Sequence, residues 1–141
     1  MEILLIEDNP VDILAIRHGL QENNISCKLN VVEDGEEAID FLYRRNKYET
    51  VQPPDLILLD LNLPKKSGRE VLAEVKENPE FSHIPVIVLT TSEADKDILI
   101  SYELHANCFI TKPVGLHQFT ELIKFIECFW LKVAKLPPNE S

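Results

Sequence analysis

Five short apolar runs, each followed by a segment that carries helix signals, constrain the fold of this chain more than any other feature of its sequence. The runs occupy residues 3–6, 29–32, 56–59, 86–89 and 108–110. Several are apolar on both faces, which is typical of parallel strands that helices cover on both sides of a sheet. The repeated order of strand and helix predicts a doubly wound α/β fold built on a five-stranded parallel sheet.

Residues that favour helix starts stand between the runs, where this alternation requires them. Asn9 is a suitable cap, with Pro10 at the first helical position. Asp34 and Ser92 each precede an acidic residue by three positions, which is the spacing of a capping box. After the third run, Gly68 leads into a further helical pattern.

The length and the charge of the chain restrict its organisation and its partners. A chain of 141 residues has the usual size of one domain, which we expect at 1–135, with a tail at 136–141 and no effector domain. The formal net charge of −10 argues against direct nucleic-acid binding, which depends on clustered Lys and Arg. It disfavours acidic membrane surfaces for the same reason, so proteins and cations are the expected partners.

Three cysteines, Cys27, Cys108 and Cys128, lie far apart and show no CxxC spacing. Neither a zinc site nor a disulfide framework is indicated, and reduced thiols are consistent with the cytosol. The amino-terminal residues have no basic region before their apolar run, and no apolar run approaches membrane-spanning length. We therefore expect a cytoplasmic protein without a membrane segment.

Polar side chains follow four of the five runs. In open α/β sheets, ligands bind at the carboxyl ends of the strands, so we expect these side chains to meet at one edge of the sheet. They are Glu7, Asp8, Asp60, Asn62, Thr90, Thr91, Thr111 and Lys112.

This set of side chains suits phosphoryl chemistry with a divalent metal. Clustered carboxylates repel one another unless a cation intervenes, and Mg²⁺ commonly binds one or two carboxylates together with phosphate. Asp60 follows the most apolar run, which predicts a central strand, and it is the best candidate for a carboxylate that attacks phosphorus. Glu7 and Asp8 would hold the metal, and Lys112 would neutralise the phosphoryl group.

Each of these residues also has an ordinary structural interpretation. Glu7 and Asp8 could form a helix cap or a solvated turn, Thr90 could simply end its strand, and Lys112 could be a loop lysine before proline. The position of every one of them at the end of a run favours the functional interpretation.

From residue 1 to about residue 130, the pattern resembles the receiver domain of two-component response regulators. The matching residues are Glu7, Asp8, Asp60, Asn62, Pro64, Gly68, Thr90, Phe109, Lys112 and Pro113. The intervals between Asp60, Thr90 and Lys112 match as well. The resemblance implies the flavodoxin-like (βα)5 receiver fold.

Further roles follow from this resemblance alone. It implies that Asp60 is the phosphoacceptor and that it binds Mg²⁺ with the acidic pair and with the main-chain carbonyl of Asn62. Thr90 would contact the phosphoryl group, and Phe109 would be an aromatic switch that rotates. The peptide bond before Pro113 would be cis.

The sequence departs from the family pattern at three positions. Glu7 stands where the family usually has Asp, a variant that should preserve metal binding. Phe109 replaces the frequent Tyr, so a switch hydroxyl is absent from that side chain. His105 stands where the family often has Gly, which puts the geometry of the turn before the fifth run in question.

Two longer features resemble the small response regulators that are partnered with cyanobacterial phytochromes. One is the long segment 44–55 between the second helix and the third run, and the other is the ending FWLKVAKLPP. The long segment can be a surface loop, an extension of the helix, or a surface for a specific partner.

Apolar side chains cover about half the circumference of the last helix, predicted at 116–134, whereas a helix with one core face needs roughly 100°. Part of the stripe must therefore cover something besides its own sheet. We expect Leu122, Phe125, Phe129 and Trp130 to form an interface with a subunit or partner, including a homodimer. The alternative is that residues 135–138 fold back over the stripe.

The expected function is that of a response regulator that acts through protein contacts. A histidine kinase, plausible candidates being those of phytochrome type, would transfer a phosphoryl group to Asp60 in a Mg²⁺-dependent reaction. The added charge would draw Thr90 and Lys112, and Phe109 would turn inward. The protein would not be an enzyme in the usual sense, although it would assist its own phosphorylation and dephosphorylation.

Other functions fit the residues less well. A Mg²⁺-dependent phosphohydrolase needs a second acid to protonate the leaving group, and Asn62 stands two residues after Asp60 where no such acid is found. A phosphorylation-independent interaction module would have no use for Asp8, Thr90 and Lys112. A DNA-binding regulator would need a second domain.

Overall fold

A five-stranded sheet forms the centre of the protein, and the computed structural model describes residues 1–22 and 27–138. The strand order is β2-β1-β3-β4-β5, and all neighbouring strands are parallel. The strands are β1 (Glu2–Ile6), β2 (Lys28–Val32), β3 (Leu56–Leu59), β4 (Val86–Thr90) and β5 (Cys108–Thr111). The predicted fold class is confirmed, and each strand lies within one residue of its apolar run.

Helices follow the strands on both faces of the sheet. They are α1 (Pro10–Glu22), α2 (Gly35–Leu42), α3 (Gly68–Glu77), α4 (Asp95–Glu103) and α5 (Leu116–Ile126). A 3-10 helix (Asn46–Tyr48) follows α2, and a π-helical segment (Glu127–Val133) continues α5. None of the helices in the described part of the chain is long and apolar enough to cross a membrane.

Two apolar layers, one on each face of the sheet, form the core. Ile57 and Leu59 belong to the layer under α2 and α3, whereas Leu56 and Leu58 belong to the layer under α1 and α5. All four side chains are at most 2% exposed. Successive residues of a strand face opposite sides of the sheet, so a central strand covered on both sides must be apolar throughout.

Side-chain caps fix the starts of the first three helices. Asn9, Asp34 and Ser67 each accept a hydrogen bond from a main-chain N–H two or three residues later. The caps at Asn9 and Asp34 confirm the sequence prediction. The cap expected at Ser92 is wrong, because α4 begins three residues later and the Ser92 hydroxyl donates instead to the Asp97 carboxylate at 2.5 Å.

The long segment 44–55 folds against the domain and does not extend α2. The rings of Tyr48 and Phe41 have centroids 5.2 Å apart, and the Tyr48 hydroxyl donates to Glu37 at 3.2 Å. At the end of the segment, the Asp55 carboxylate accepts a hydrogen bond from the Glu2 N–H at 2.7 Å. These contacts hold the segment beside α2 and β1.

Residues 135–138 do not cover the apolar stripe of the last helix. Pro137 and Pro138 line a cavity of about 410 Å³ together with residues of the loops that follow α2 and α3. Phe125 and Phe129 remain 72% and 48% exposed. The alternative in which this part of the tail folds back over the stripe is therefore wrong.

Candidate functional site

The carboxyl ends of the strands bring the expected polar residues to one edge of the sheet. The main-chain N–H of Asp60 donates to the carbonyl of Ile6 at 3.0 Å, so the parallel ladder continues past the end of β3. The N–H of Lys112 donates to the carbonyl of Thr90 at 2.7 Å in the same way. The backbone of the site is therefore fixed by the sheet itself.

The ammonium group of Lys112 joins carboxylates from three elements. Its Nζ donates to Glu7 after β1, to Asp12 Oδ2 in α1 at 2.9 Å, and to Asp60 Oδ2 after β3 at 3.2 Å. The Lys112 side chain is only 3% exposed, and burying such a charge without partners would be costly. Three charge-assisted hydrogen bonds use the three donors of the ammonium.

Glu7, Asp8 and Asp60 form the group that could hold a metal ion. Each offers one carboxylate oxygen, and the three oxygens lie within 4.8 Å of one another. Glu7 and Asp60 are buried, whereas Asp8 is exposed, so the group can be approached from the solvent on the Asp8 side. A donor set of carboxylate oxygens fits a hard divalent cation such as Mg²⁺ or Mn²⁺.

Asn62, the fourth predicted metal ligand, has an exposed side chain. Its main-chain N–H donates to Asp60 Oδ1 at 3.1 Å, so the main chain at this residue lies beside the phosphoacceptor candidate. The ligand role of its carbonyl stays a prediction.

The charges of the site shift the pKa values of two of its members. Burial raises the pKa of Glu7 to about 7; the hydrogen bond from Lys112 opposes this rise, and the charge of Asp60 adds to it. Burial disfavours the charged form of Lys112, but hydrogen bonds to Glu7 and Asp12 outweigh it and raise the Lys112 pKa. Without a further cation, the carboxyl group of Glu7 therefore resists ionisation.

The hydroxyl of Thr90 is buried without a hydrogen-bond partner in the described residues. A buried polar atom without a partner costs about 1–3 kcal/mol, and native proteins contain few of them. A phosphoryl group on Asp60, at the end of the neighbouring strand, would bring acceptor oxygens to this edge of the sheet. The site therefore fits a cation on its carboxylates and an anion near Thr90 and Lys112.

Phe109 is half-buried and packs against the apolar layer under α2 and α3. Its main-chain N–H donates to the hydroxyl of Tyr102 in α4 at 3.2 Å. A tyrosine hydroxyl therefore does lie at this part of β5, although α4 supplies it. The sequence pattern did not single out Tyr102, because the contact depends on how α4 packs against the strand.

His105 adopts the left-handed conformation that the family pattern assigns to Gly, with φ 70°. Its N–H donates to the carbonyl of Tyr102, and the N–H of Ala106 donates to the carbonyl of Ser101, both at 2.9 Å. These two bonds form a Schellman motif, in which glycine is preferred at the left-handed position. The turn before β5 therefore keeps the expected geometry despite the histidine.

Gly68 allows the start of α3 to pack directly against the backbone that carries Asp60. A Cβ atom at Gly68 would lie 2.3 Å from the Asp60 carbonyl oxygen and 2.5 Å from the Leu61 Cα. The Gly68 N–H donates to the Leu61 carbonyl at 3.0 Å. The glycine that the motif contains is thus required by the close approach of two backbone segments.

The expected cis peptide bond before Pro113 is wrong. The described residues contain no cis peptide bond, and both Lys112 and Pro113 are among them. The trans form is the more stable one for a bond before proline, by about 0.5–1 kcal/mol. Lys112 reaches its three carboxylates with the trans bond in place.

Asp12 belongs to the site, although the sequence pattern did not single it out. A signal was available: the predicted cap at Asn9 and helix start at Pro10 place Asp12 in the first turn of α1, just after the carboxyl end of β1. Acidic residues are common in the first turn of helices, where the helix dipole favours them. The sequence therefore does not distinguish Asp12 from an ordinary first-turn acid unless the position of Lys112 is given.

The four side chains predicted for an interface separate into two pairs. Leu122 and Trp130 pack against the apolar layer under α1 and α5 and are only partly exposed. Phe125 and Phe129 point away from that layer, and Val133 beyond them is 65% exposed. We call these last three residues the α5 patch.

This chain is similar to known proteins over most of its length. The model of the response regulator receiver domain matches residues 3–124. Response regulator Rcp1 from Synechocystis sp. (strain ATCC 27184 / PCC 6803 / Kazusa) is 47% identical to this chain over 135 residues, which are 96% of this chain and 92% of Rcp1.

Two crystal structures share the fold over almost their whole length. That of the Mn²⁺-bound form of response regulator Rcp1 has a TM-score of 0.94 and 47% identity, and the match covers 97% of this chain and 99% of that one. That of the phosphorylated cyanobacterial phytochrome response regulator RcpA has a TM-score of 0.94 and 49% identity, with 97% and 98% covered.

Proposed function

Because this chain belongs to the family of response regulator receiver domains, we propose that it is a signalling protein in which Asp60 accepts a phosphoryl group from a histidine kinase. The observation that carries the proposal is the buried Lys112 ammonium, 3.2 Å from Asp60 Oδ2 and beside a group of three carboxylates. A receiver domain is not a classical enzyme, but the residues around Asp60 assist the transfer to it.

The transfer forms one bond and breaks another. A carboxylate oxygen of Asp60 attacks phosphorus, and the bond between phosphorus and the histidine nitrogen of the kinase breaks, which leaves an acyl phosphate on Asp60. Lys112 provides positive charge to the phosphoryl oxygens, and the Thr90 hydroxyl donates a hydrogen bond to one of them. The same two residues would assist the later loss of the phosphoryl group to water.

Mg²⁺ is the cation that we propose for Glu7, Asp8, Asp60 and the main-chain carbonyl of Asn62. When bound, it supplies positive charge that offsets the repulsion among carboxylates and phosphoryl oxygens. The Mn²⁺ in the Rcp1 structure supports a divalent cation in a related protein, and the all-oxygen donor set supports a hard one.

The response to phosphorylation must come from a difference in stability between two conformations, since a group that favours both equally shifts nothing. Movement of Thr90 toward the phosphoryl group would open space next to β5, and Phe109 would turn into it. Tyr102, whose hydroxyl binds the Phe109 N–H, ties α4 to that movement. The surface of α4, β5 and α5 is then the part of the molecule that changes.

The partners that we propose are a phytochrome-type histidine kinase and a second copy of this chain. The RcpA structure is that of a cyanobacterial phytochrome response regulator with 49% identity, which supports the kinase type. The exposed α5 patch supports a homodimer through the last helix. We propose that the transfer of the phosphoryl group from the kinase takes place in the cytoplasm. We assign the receiver domain to 1–135, with 136–141 as its tail.

Incubation with acetyl phosphate and Mg²⁺, followed by intact mass measurement, tests the proposed function. The wild-type protein should gain the mass of one phosphoryl group, and Asp60→Asn should gain none. Asp40→Asn in α2 makes the same chemical change away from the site and should react as the wild type does. Equal phosphorylation of Asp60→Asn and the wild type would remove Asp60 from the proposal.

A further inference from the structure

Asp12 binds Lys112 although no role in the site has been assigned to it. Its Oδ2 accepts a hydrogen bond from Lys112 Nζ at 2.9 Å, which is shorter than the 3.2 Å contact of the same nitrogen with Asp60. The Asp12 side chain is 18% exposed, so the contact is largely shielded from water. An ion pair of this kind is stronger than one on an open surface.

The helix start holds Asp12 in place independently of Lys112. Asn9 Oδ1 accepts hydrogen bonds from the N–H groups of Val11 at 2.9 Å and of Asp12 at 3.3 Å, and α1 begins at Pro10. The first turn of α1 is therefore fixed at the carboxyl end of β1. Its acid presents a carboxylate to Lys112 from a rigid element.

Asp12 is the one of these three Lys112 partners to which the proposed function gives no role in metal binding or phosphoryl transfer. Glu7 and Asp60 belong to the group of carboxylates that could hold the cation, and Asp60 also becomes the acyl phosphate. Asp12 lies outside that group. When Glu7 and Asp60 change partners, Asp12 is the carboxylate that can keep its contact with the ammonium.

We infer that Asp12 is a positioning residue, which holds the Lys112 ammonium so that its other two N–H groups face the incoming phosphoryl oxygens. This inference rests on the proposed function, because it assigns a step in the phosphorylation of Asp60. Asp12 does not touch the phosphoryl group; it acts through Lys112. The proposed role needs two residues at once: the acid in the first turn of α1 and the lysine after β5.

If Asp12 acted only through its negative charge, removing that charge would speed phosphorylation and not slow it. A carboxylate near the site repels an anionic phosphodonor, so removing only its charge would lower the half-saturating donor concentration and raise the rate. Loss of orientation instead lowers the maximal rate, because a mobile ammonium gives less stabilisation of the developing charge. The two roles therefore differ in the sign of the effect.

The test compares the phosphorylation rates of Asp12→Asn and the wild type over a range of acetyl phosphate and Mg²⁺ concentrations, measured by intact mass. We expect the maximal rate of Asp12→Asn to fall about tenfold, because a neutral amide oxygen replaces the charged acceptor and holds the ammonium less firmly. The half-saturating Mg²⁺ concentration should stay within about twofold, since Asp12 lies outside the metal group. Glu77→Gln, an equal charge change at the exposed end of α3, should leave both values unchanged.

A double variant separates action through Lys112 from any general effect on the fold. In Lys112→Gln, the further change Asp12→Asn should not slow phosphorylation, because the group that it positions is gone. A rate of Asp12→Asn equal to or above that of the wild type would overturn the inference, and so would an undiminished loss in the Lys112→Gln background. In either case Asp60→Asn, measured alongside, shows whether the proposed function itself still holds.

Discussion

At the scale of single residues, the proposed metal site makes Glu7 the residue through which cation binding would depend on pH. Burial raises its pKa from 4.5 to about 7, so the folded protein without metal binds more protons than the unfolded chain between these values. The stability of the metal-free protein should therefore fall as the pH rises through this window. A cation favours the ionised carboxylate, so Mg²⁺ held by Glu7 as proposed would displace the proton.

From this we predict that the apparent affinity for Mg²⁺ rises by up to about tenfold per pH unit below pH 7 and levels off above it. Calorimetric titration with Mg²⁺ at several pH values measures the effect. Glu7→Gln should bind more weakly and lose this pH dependence. If the variant keeps the wild-type slope, another group is responsible for it.

Thr90 offers a second test at the residue scale, because its buried hydroxyl has no partner in the described residues. Thr90→Val keeps the shape of the side chain and removes the unpaired group. We predict that the free energy of unfolding of the unphosphorylated protein rises by about 1 kcal/mol, measured in urea.

The matched control is Thr111→Val at the end of β5, whose hydroxyl donates to the Ser92 carbonyl at 3.4 Å. Its free energy of unfolding should not rise. A loss of stability in Thr90→Val as large as that of an ordinary buried hydrogen bond would show that the hydroxyl already has a partner.

Most of the residues at the site could be predicted from the sequence, and the reason is topological. The carboxyl ends of parallel strands share one edge, and only β4 separates β3 from β5, so the long side chain of Lys112 can reach Asp60. Asp12 and Tyr102 could not be found in this way. Their contacts depend on the reach of side chains from helices, which neither apolar runs nor turn residues specify.

At the scale of secondary-structure elements, the end of α4 carries a conformation that its residue disfavours. His105 has φ 70°, and the left-handed region costs a residue with a Cβ atom about 1–2 kcal/mol. We predict that His105→Gly raises the free energy of unfolding by about 1 kcal/mol in urea.

Leu99→Gly, at a 60% exposed position in the interior of α4, is the control because helix interiors disfavour glycine by about 1 kcal/mol. It should lower the free energy of unfolding. The two glycine substitutions should change the free energy of unfolding in opposite directions, because only position 105 is left-handed. Destabilisation by both variants would contradict the Schellman motif at this turn.

The ends of a strand could be predicted where helices cover both of its faces. The run 56–59 is apolar at each position because both faces of β3 are covered, so its ends coincide with the ends of the strand. The capping-box spacing at Ser92 predicts too early a start for α4, because the Ser92 hydroxyl donates to Asp97 and Ala94 occupies the cap position. The π-helical segment after α5 had no counterpart in the helical pattern of the sequence.

At the scale of the whole molecule, the last helix is more apolar than its own core requires. Phe119 and Ile123 are buried, whereas Phe125, Phe129 and Val133 of the α5 patch remain in solvent. We predict that Phe125→Asp and Phe129→Asp each shift the protein toward the monomer in sedimentation velocity, because a carboxylate in an apolar interface is costly.

Leu99→Asp is the control, since it introduces the same charge at a 60% exposed apolar side chain of α4 outside the patch. It should sediment as the wild type does. If Phe125→Asp and Phe129→Asp also leave the sedimentation unchanged, the α5 patch is not the homodimer interface.

The overall architecture was the most predictable level, since five alternating units leave few arrangements of a parallel sheet. The interface was the least predictable. The apolar stripe indicated that the last helix covers more than its sheet, but the pattern could not separate Leu122 and Trp130, which pack inward, from Phe125 and Phe129.

The central claim, that Asp60 receives the phosphoryl group, is tested most directly by locating the group on the phosphorylated chain. Borohydride reduces an acyl phosphate on aspartate to homoserine, and fragmentation of the peptide that carries residues 48–65 then distinguishes Asp60 from Asp55. We predict homoserine at position 60 alone, and only after incubation with Mg²⁺ and a phosphodonor. Homoserine at another aspartate, with position 60 unchanged, would contradict the account.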